Sequence, residues 1–339
     1  MILFNVTVEV FIFGFSLYKL MQVIENKVLL DENARKLIYQ IGYAIVGSVG
    51  KDSLKALLSL YHSLHTFEKK EGGMFYSLYS DNLAYRQEVH HSIFELLQPI
   101  YNNYFHRYKT VINSFIVKTS GLGSDFSLHQ DSTGLDEFKF SPLSVWIPLQ
   151  DTNMNNGTLC VVPKTHGFFH PFRGISFSSP FATYEDVVRR YLQPINLKAG
   201  EILLFDNRLV HYSHLNNTDA PRIVVMSGVF PEEATILSVY KDESKPNSPI
   251  EVYEQSEDFL ITNKAFYKDC TARPYRGKVI KTISEPLPDV SMYDFMSWAT
   301  KEGVLQTHIE ALSHPLNNMK IISEPNENKL KILFHFFKH

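Results

Sequence analysis

The sequence predicts a mainly β protein with flanking helices, its core a double-sheet jelly roll. Three observations lead there. Helical periodicity fills the first third of the 339 residues and stops near Lys109. Eight short strand-like runs then follow one another, at 110–119, 125–131, 142–149, 158–163, 194–197, 201–205, 209–212 and 222–230. Turn residues separate them, and many short strands in series with such breaks suit two facing sheets.

The helical part reads in order. Residues 31–41 form a helix with Asp31 as N-cap and Gly42 as its stop, followed by a short strand at 43–46. A second helix, 52–65, lines up Leu54, Leu57, Leu58, Tyr61 and Leu64 on one face. A third, 85–104, carries Val89, Ile93, Leu96, Leu97 and Ile100 as a stripe. His62, His65, His90, His91 and His106 lie on or beside these helices and read as surface or packing histidines, not ligands. Between the second and third helices, 72–82 is a loop rich in Gly and aromatics. It reads either as a packed connection or as one wall of a substrate mouth, since binding residues concentrate on loops held by a scaffold.

The expected organisation is three parts: 1–108, a strand and helices packed on the barrel; 109–231, the barrel; and 232–339, an accessory extension. The barrel carries one long insertion, 167–193, with Phe168, Phe169, Phe172, Phe177 and Phe181 and then a helical 184–191. Loops of that length act as lids or binding loops or are disordered, and the aromatics argue against disorder. Arg173, Arg189 and Arg190 read as a solvated helix face rather than as contacts to an anionic substrate. Beyond 230 the pattern weakens: 241–257 is a polar excursion, 291–301 a short helix, and 319–323 with 330–337 a terminal hairpin.

Bulk properties bound the function. Thirty-three basic residues against 36 acidic give net charge −3, which offers no footprint for nucleic acid or an acidic membrane surface. Two cysteines, Cys160 and Cys270, make no disulfide framework and fit a reducing cytoplasm. The apolar run 10–18 lies between Glu9 and Lys19. It is too short to span a bilayer and lacks the marks of a signal peptide, so it reads as an element packed on the body. The Asn-x-Thr triplets at 156 and 216 fall inside the barrel and are read as unglycosylated. The partner expected is a small-molecule substrate, with no nucleic acid and no membrane insertion, the chain being a monomer or homodimer.

Chemistry concentrates between Ser127 and Phe230. His129 and Asp131 close one strand-like run, and period-2 alternation turns both to the same side. A His-x-Asp pair arises by chance about as often as not in a chain with 14 histidines, so the pair alone decides nothing. His211 ends a second run and supplies a third donor. Two histidines and one carboxylate on one face make the donor set of a non-haem Fe(II) site, with the other positions open. Eleven residues further, Arg222 opens an apolar strand; a cation entering a buried strand needs an anionic partner, and the Arg fork suits a carboxylate.

With Gly157-Thr-Leu-Cys-Val-Val-Pro163-Lys-Thr-His166-Gly167, Trp146 and Ser213 added, these residues resemble the phytanoyl-CoA dioxygenase family of Fe(II)/2-oxoglutarate oxygenases. The resemblance is strong over about 110–230 and runs back, in helix order only, to about 28. It implies a cupin-like double-stranded β-helix in which His129, Asp131 and His211 are catalytic and hold Fe(II). It implies that 2-oxoglutarate chelates that iron and reaches Arg222 with its far carboxylate. Ser213 then adds a hydrogen bond, and Trp146 packs along the co-substrate. O2 is the second co-substrate, and the reaction is hydroxylation of an unactivated C–H with succinate as by-product.

Rival readings stay open. A cupin-like module could bind metal or ligand without catalysis, which the +11 spacing to Arg222 disfavours. His211 with His214 could be a zinc pair, although residues three apart on a strand face opposite sides. A halogenating relative lacks the carboxylate that Asp131 supplies. Desaturation or cyclisation remains beside hydroxylation. Natural-product or amino-acid-type intermediates are expected as substrates ahead of acyl-CoA or lipid.

Overall fold

Strands β1 (Tyr43–Ser48) and β2 (Met74–Tyr76) precede eight that build two packed antiparallel sheets. These are β3 (Tyr108–Lys118), β4 (Phe126–His129), β5 (Leu143–Pro148), β6 (Leu159–Val162), β7 (Gln193–Pro194), β8 (Glu201–Asp206), β9 (Val210–Ser213) and β10 (Arg222–Pro231). The larger sheet has the order β1-β8-β5-β10-β3-β2 and the smaller β4-β9-β6-β7. The chain passes from sheet to sheet, β3 to β4 to β5 to β6, and again from β8 to β9 to β10. That is a jelly roll with double-stranded β-helix topology, as expected. The computed structural model describes residues 23–64, 73–176, 178–245, 247–263, 277–284, 287 and 289–307. The apolar run 10–18, His65, Phe177, Cys270 and the terminal hairpin lie outside the described residues.

Alternation along the strands sorts side chains between two cores. Trp146, Leu203, Phe205 and Val224 from the larger sheet meet Leu159 and Val161 from the smaller one, and this inter-sheet cluster is the barrel interior. On the other face of the larger sheet, Phe115, Val117, Val145, Ile147, Leu204 and Val225 pack under three helices. These are α1 (Glu32–Ile41), α2 (Lys51–Leu64) and α3 (Leu83–Tyr101), which bring Ile38, Leu57, Ile93 and Leu97. Truncating such a buried Leu or Ile to Ala costs about 2–5 kcal/mol. The caps of α1 are as read: Asp31 accepts from the Ala34 N–H at 2.6 Å, and Gly42 closes the helix at φ 91°. A side chain at Gly42 would collide with Leu209 at 2.6 Å, so the glycine also lets α1 approach the barrel.

Three readings are corrected. The 72–82 loop contains β2, which pairs with β3 at the sheet edge, and a single 3₁₀ turn, Ser77–Tyr79. The polar 241–257 excursion contains β12 (Ile250–Glu254), the middle strand of a small sheet with β11 (Leu237–Tyr240) and β13 (Lys278–Ile283). In the 167–193 insertion the helix is only α4 (Glu185–Arg189); Arg190 is exposed as expected, but the other two arginines are not a solvated face. Arg173 is buried, while Arg189 pairs with Glu185 and lies 4.3 Å over the Tyr212 ring.

Phe168, Phe169 and Phe181 of the insertion are core residues. After α5 (Phe259–Thr262), the helix α6 (Met292–Lys301) inserts Phe295 among Phe169, Tyr184 and Tyr191, and Trp298 stacks on Phe168 at 4.3 Å. The Ser291–Asp294 capping box starts that helix, and Lys164 donates to the Glu302 carbonyl at 2.6 Å.

Two scaffold histidines make stability sensitive to acid. His90 Nδ1 accepts the Asn113 backbone N–H at 3.1 Å, binding α3 to β3, and burial lowers its imidazole to about 4. Burial also lowers His170, in the insertion, to about 4, helped by Arg173. Folded values below the ordinary 6.5 mean that the unfolded chain takes up more protons between about 4 and 6.5. Stability should therefore fall as pH drops through that window, by at most ~1.4 kcal/mol per unit for each histidine. Urea midpoints measured at pH 7 and 4.5 check this; equal midpoints would contradict it.

Candidate metal centre

β4 and β9 are neighbours in the smaller sheet, and their register sets His129 directly across from His211. Asp131 follows two residues later on the same side. The ligand-type atoms of these three all lie within 4.8 Å of one another. His129 Nδ1 donates to the Ser127 carbonyl at 2.7 Å, and His211 Nδ1 donates to the Leu209 carbonyl at 2.8 Å. Each carbonyl can only accept, so in the neutral ring the proton sits on Nδ1 and the lone pair is on Nε2. Both Nε2 atoms point at Asp131 Oδ1, from 3.6 and 3.8 Å.

The carboxylate has its own supports. Ser144 Oγ lies 3.2 Å from Asp131 Oδ2 and 3.0 Å from Asn207 Oδ1, and the Asp131 N–H donates to the Asn207 carbonyl at 3.0 Å. Between the two ligand residues, the Gln130 amide donates to the Arg208 carbonyl. Burial would raise the Asp131 carboxyl, but the facing imidazoles and the Ser144 hydroxyl hold it below its ordinary value. Burial, with His129 beside it, brings His211 down to about 4, so it stays a neutral donor. Two imidazole Nε2 atoms and one carboxylate turned towards one another fit a divalent ion such as Fe(II).

His214 is not part of this cluster. It lies three residues on, half-buried, and gives its backbone carbonyl to Lys118. We expect His211→Ala to lose Fe(II) binding and His214→Ala to keep it, measured by metal titration of the folded chains. The opposite ranking would move the ligand by three residues and break the spacing to Arg222.

Arg222 starts β10 on the interior face and is 2% exposed. Among the described residues no acceptor meets its Nε or Nη1, and the ion pair with Asp219 or Glu201 that would make it purely structural is not formed. Burial alone lowers its guanidinium to about 9, which leaves it charged at neutral pH. Trp146 lies beneath it, ring centroid 5.4 Å from the guanidinium carbon. Ser213 is buried on the same side of β9 as His211.

Sequence reasoning missed Lys118. It is the cross-strand partner of Arg222, fully buried, and donates to the Ser213 carbonyl at 2.9 Å and to that of His214. Burial and then the Arg222 charge push its ammonium well below the ordinary lysine value. The signal was available, since a lysine ending an apolar strand opposite Arg222 stands out once the antiparallel register is known. Gly157 belongs to the same corner: at φ 77° it admits the His214 carbonyl to within 2.3 Å of where a Cβ would stand.

Residues 54–224, just over half of the chain, match the family described as Phytanoyl-CoA dioxygenase (PhyH). The chain belongs to the phytanoyl-CoA dioxygenase family. Relatives in the family include an Arabidopsis thaliana phytanoyl-CoA dioxygenase, 26% identical over 204 residues, covering 56% of this chain and 64% of that protein. A Danio rerio phytanoyl-CoA dioxygenase domain-containing protein 1 is 25% identical over 194 residues, covering 54% and 60%. The chain thus spans under two thirds of the length of these phytanoyl-CoA dioxygenase relatives. Among solved structures, the non-heme alpha ketoglutarate dependent carbocyclase SnoK from nogalamycin biosynthesis superposes with TM-score 0.46 at 18% identity, over 61% of this chain and 86% of that one.

Proposed function

We propose that the chain is an Fe(II)- and 2-oxoglutarate-dependent oxygenase that hydroxylates an unactivated C–H bond of a small molecule. The observation that carries this reading is Arg222: a buried, charged guanidinium that meets no acceptor at Nε or Nη1 among the described residues, on the interior face of the barrel that holds the His129–Asp131–His211 cluster. An uncompensated buried charge costs several kcal/mol, and a carboxylate arriving from solution removes that cost. A metal-binding module without a co-substrate gives no reason to keep it.

In this reading His129 Nε2, Asp131 Oδ1 and His211 Nε2 hold Fe(II). Arg222 takes the far carboxylate of 2-oxoglutarate through its fork, Ser213 donates a second hydrogen bond to it, and the Trp146 face closes one side. Lys118, bound to the Ser213 and His214 carbonyls, fixes the backbone next to the ligand histidine. Bound iron supplies the oxidation: O2 and 2-oxoglutarate give succinate and carbon dioxide, and one oxygen atom enters the substrate C–H. What the chain contributes is orientation and exclusion of water.

Phe169 and Phe181 of the insertion are buried in the α6 cluster, so they give no sign of an apolar substrate. The substrate is therefore sought in a panel of amino acids, peptidic intermediates and acyl thioesters. Two measurements test the function: calorimetric binding of 2-oxoglutarate to the Ni(II)-loaded chain, and succinate release from chain loaded anaerobically with Fe(II). Binding is expected with 1:1 stoichiometry, and one panel member should raise succinate release above the uncoupled background. A chain that binds Ni(II) but no 2-oxoglutarate is a metal-binding barrel, and the reading fails.

A further inference from the structure

Arg173 belongs to the insertion between β6 and β7, yet its side chain runs back to the segment that follows β4. Its Nη1 and Nη2 form a bidentate pair with Glu137 at 2.8 and 2.6 Å, and its Nε donates to the backbone carbonyl of Asp131 at 2.9 Å. Both partners of the ion pair are buried, at 5% and 1% side-chain exposure. The backbones are joined at the same place. Thr133 N–H donates to the Arg173 carbonyl at 3.0 Å, Arg173 N–H donates to Thr133 Oγ1 at 2.9 Å, and that hydroxyl donates to the Pro171 carbonyl at 2.6 Å.

A buried ion pair adds little net stability over an apolar pair of the same shape, because two charges must be desolvated. What this pair fixes is geometry, and its third contact falls on a residue of the candidate metal cluster. Asp131 is otherwise held by Ser144 at its carboxylate and by Asn207 at its N–H. The carbonyl is the remaining backbone handle, and Arg173 takes it.

We propose that Arg173 is a positioning residue that ties the 167–193 insertion to the metal-ligating carboxylate, so that the seating of the insertion and the placement of Asp131 are one event. This rests on the reading of His129, Asp131 and His211 as the ligands. Glu137 orients the guanidinium, the guanidinium holds the Asp131 carbonyl, and the Thr133–Arg173 backbone bonds keep the two segments in register. A molecule pressing on the insertion then acts on the metal through a single hydrogen bond, without touching a ligand.

The test compares Ni(II) affinity, by calorimetry on the metal-free chain, with Tm. Arg173→Lys keeps a cation against Glu137, but an ammonium lacks the planar fork that spans two carboxylate oxygens and a carbonyl together. It should hold Tm near wild type while Ni(II) affinity falls by on the order of 10- to 100-fold, the usual loss when a support of a ligand is removed. The d–d spectrum of the Co(II)-loaded variant should shift as well. Glu137→Gln loosens the guanidinium without changing Arg173 and should cost Ni(II) affinity severalfold. Arg173→Lys that folds and binds Ni(II) like wild type overturns the proposal and leaves Arg173 a structural anchor. If Arg173→Lys does not fold, wild-type Ni(II) affinity in Glu137→Gln overturns it equally. A wild-type chain that binds no Ni(II) removes the ligand assignment and this proposal with it.

Discussion

Arg222→Ala is expected to lower 2-oxoglutarate affinity by on the order of 30- to 3000-fold while leaving Ni(II) affinity, measured without 2-oxoglutarate, at its wild-type value. The magnitude follows from truncating one partner of a buried charge pair, roughly 2–5 kcal/mol, at ~1.4 kcal/mol per tenfold. The cost comes largely from the far carboxylate left buried without its fork. Arg222→Lys should recover only part, because a compact ammonium makes one contact where the fork makes two. The free protein gives an opposite sign: a guanidinium whose Nε and Nη1 meet no acceptor among the described residues is a burden before ligand arrives, so Arg222→Ala should not lower Tm in the absence of 2-oxoglutarate. A variant that loses Tm and keeps 2-oxoglutarate affinity would assign Arg222 to the scaffold and end the oxygenase reading.

Asp131→Ala is expected to abolish succinate-coupled hydroxylation and to weaken Fe(II) binding by more than the roughly 10- to 100-fold typical of losing a supporting residue. The carboxylate is the only anionic donor in the cluster, and His129 and His211 alone leave a labile divalent ion two neutral contacts. Fold should survive, since among the described residues Asp131 closes no ion pair with Arg or Lys, and Ser144 retains Asn207 as a partner. Full turnover in Asp131→Ala would show that the three residues are not the metal site.

Much of this was readable before any coordinates. The barrel strands could be read because turn residues separate short runs of β-forming residues, several of them buried along their whole length. The strand after the insertion is shifted: 194–197 was expected, and β7 is Gln193–Pro194, with 195 and 197 continuing the contact through Ile195 N–H to the Leu159 carbonyl and the Thr152–Leu197 bridge. The structure brings His129, Asp131 and His211 together as the sequence grouped them: His129 ends β4, Asp131 follows two residues later, and His211 lies on the neighbouring β9.

What stayed hidden depends on partners far along the chain. β2 is three residues long behind two glycines, and only the exposed edge of β3 makes it a strand. β12 alternates Ile250, Glu251, Val252, but Lys, Ser and Pro just before it give the region a linker's composition. Arg173 meets Glu137 across 36 positions in a segment without periodicity, so nothing local distinguishes it from a solvated arginine. Lys118 shows itself only when antiparallel pairing sets it beside Arg222.

The aromatic cluster under α6 has a bearing on how such a barrel can be re-engineered or can diverge. Phe168, Phe169, Tyr184 and Tyr191 come from the insertion, and Phe295 and Trp298 come from a helix more than a hundred positions downstream. Grafting another protein's 167–193 segment onto this barrel, or shortening the chain ahead of α6, would leave one half of that interlock without its counterpart. Insertion and distal helix are thus a single module of inheritance, and a change in one is tolerated only when the other changes to match.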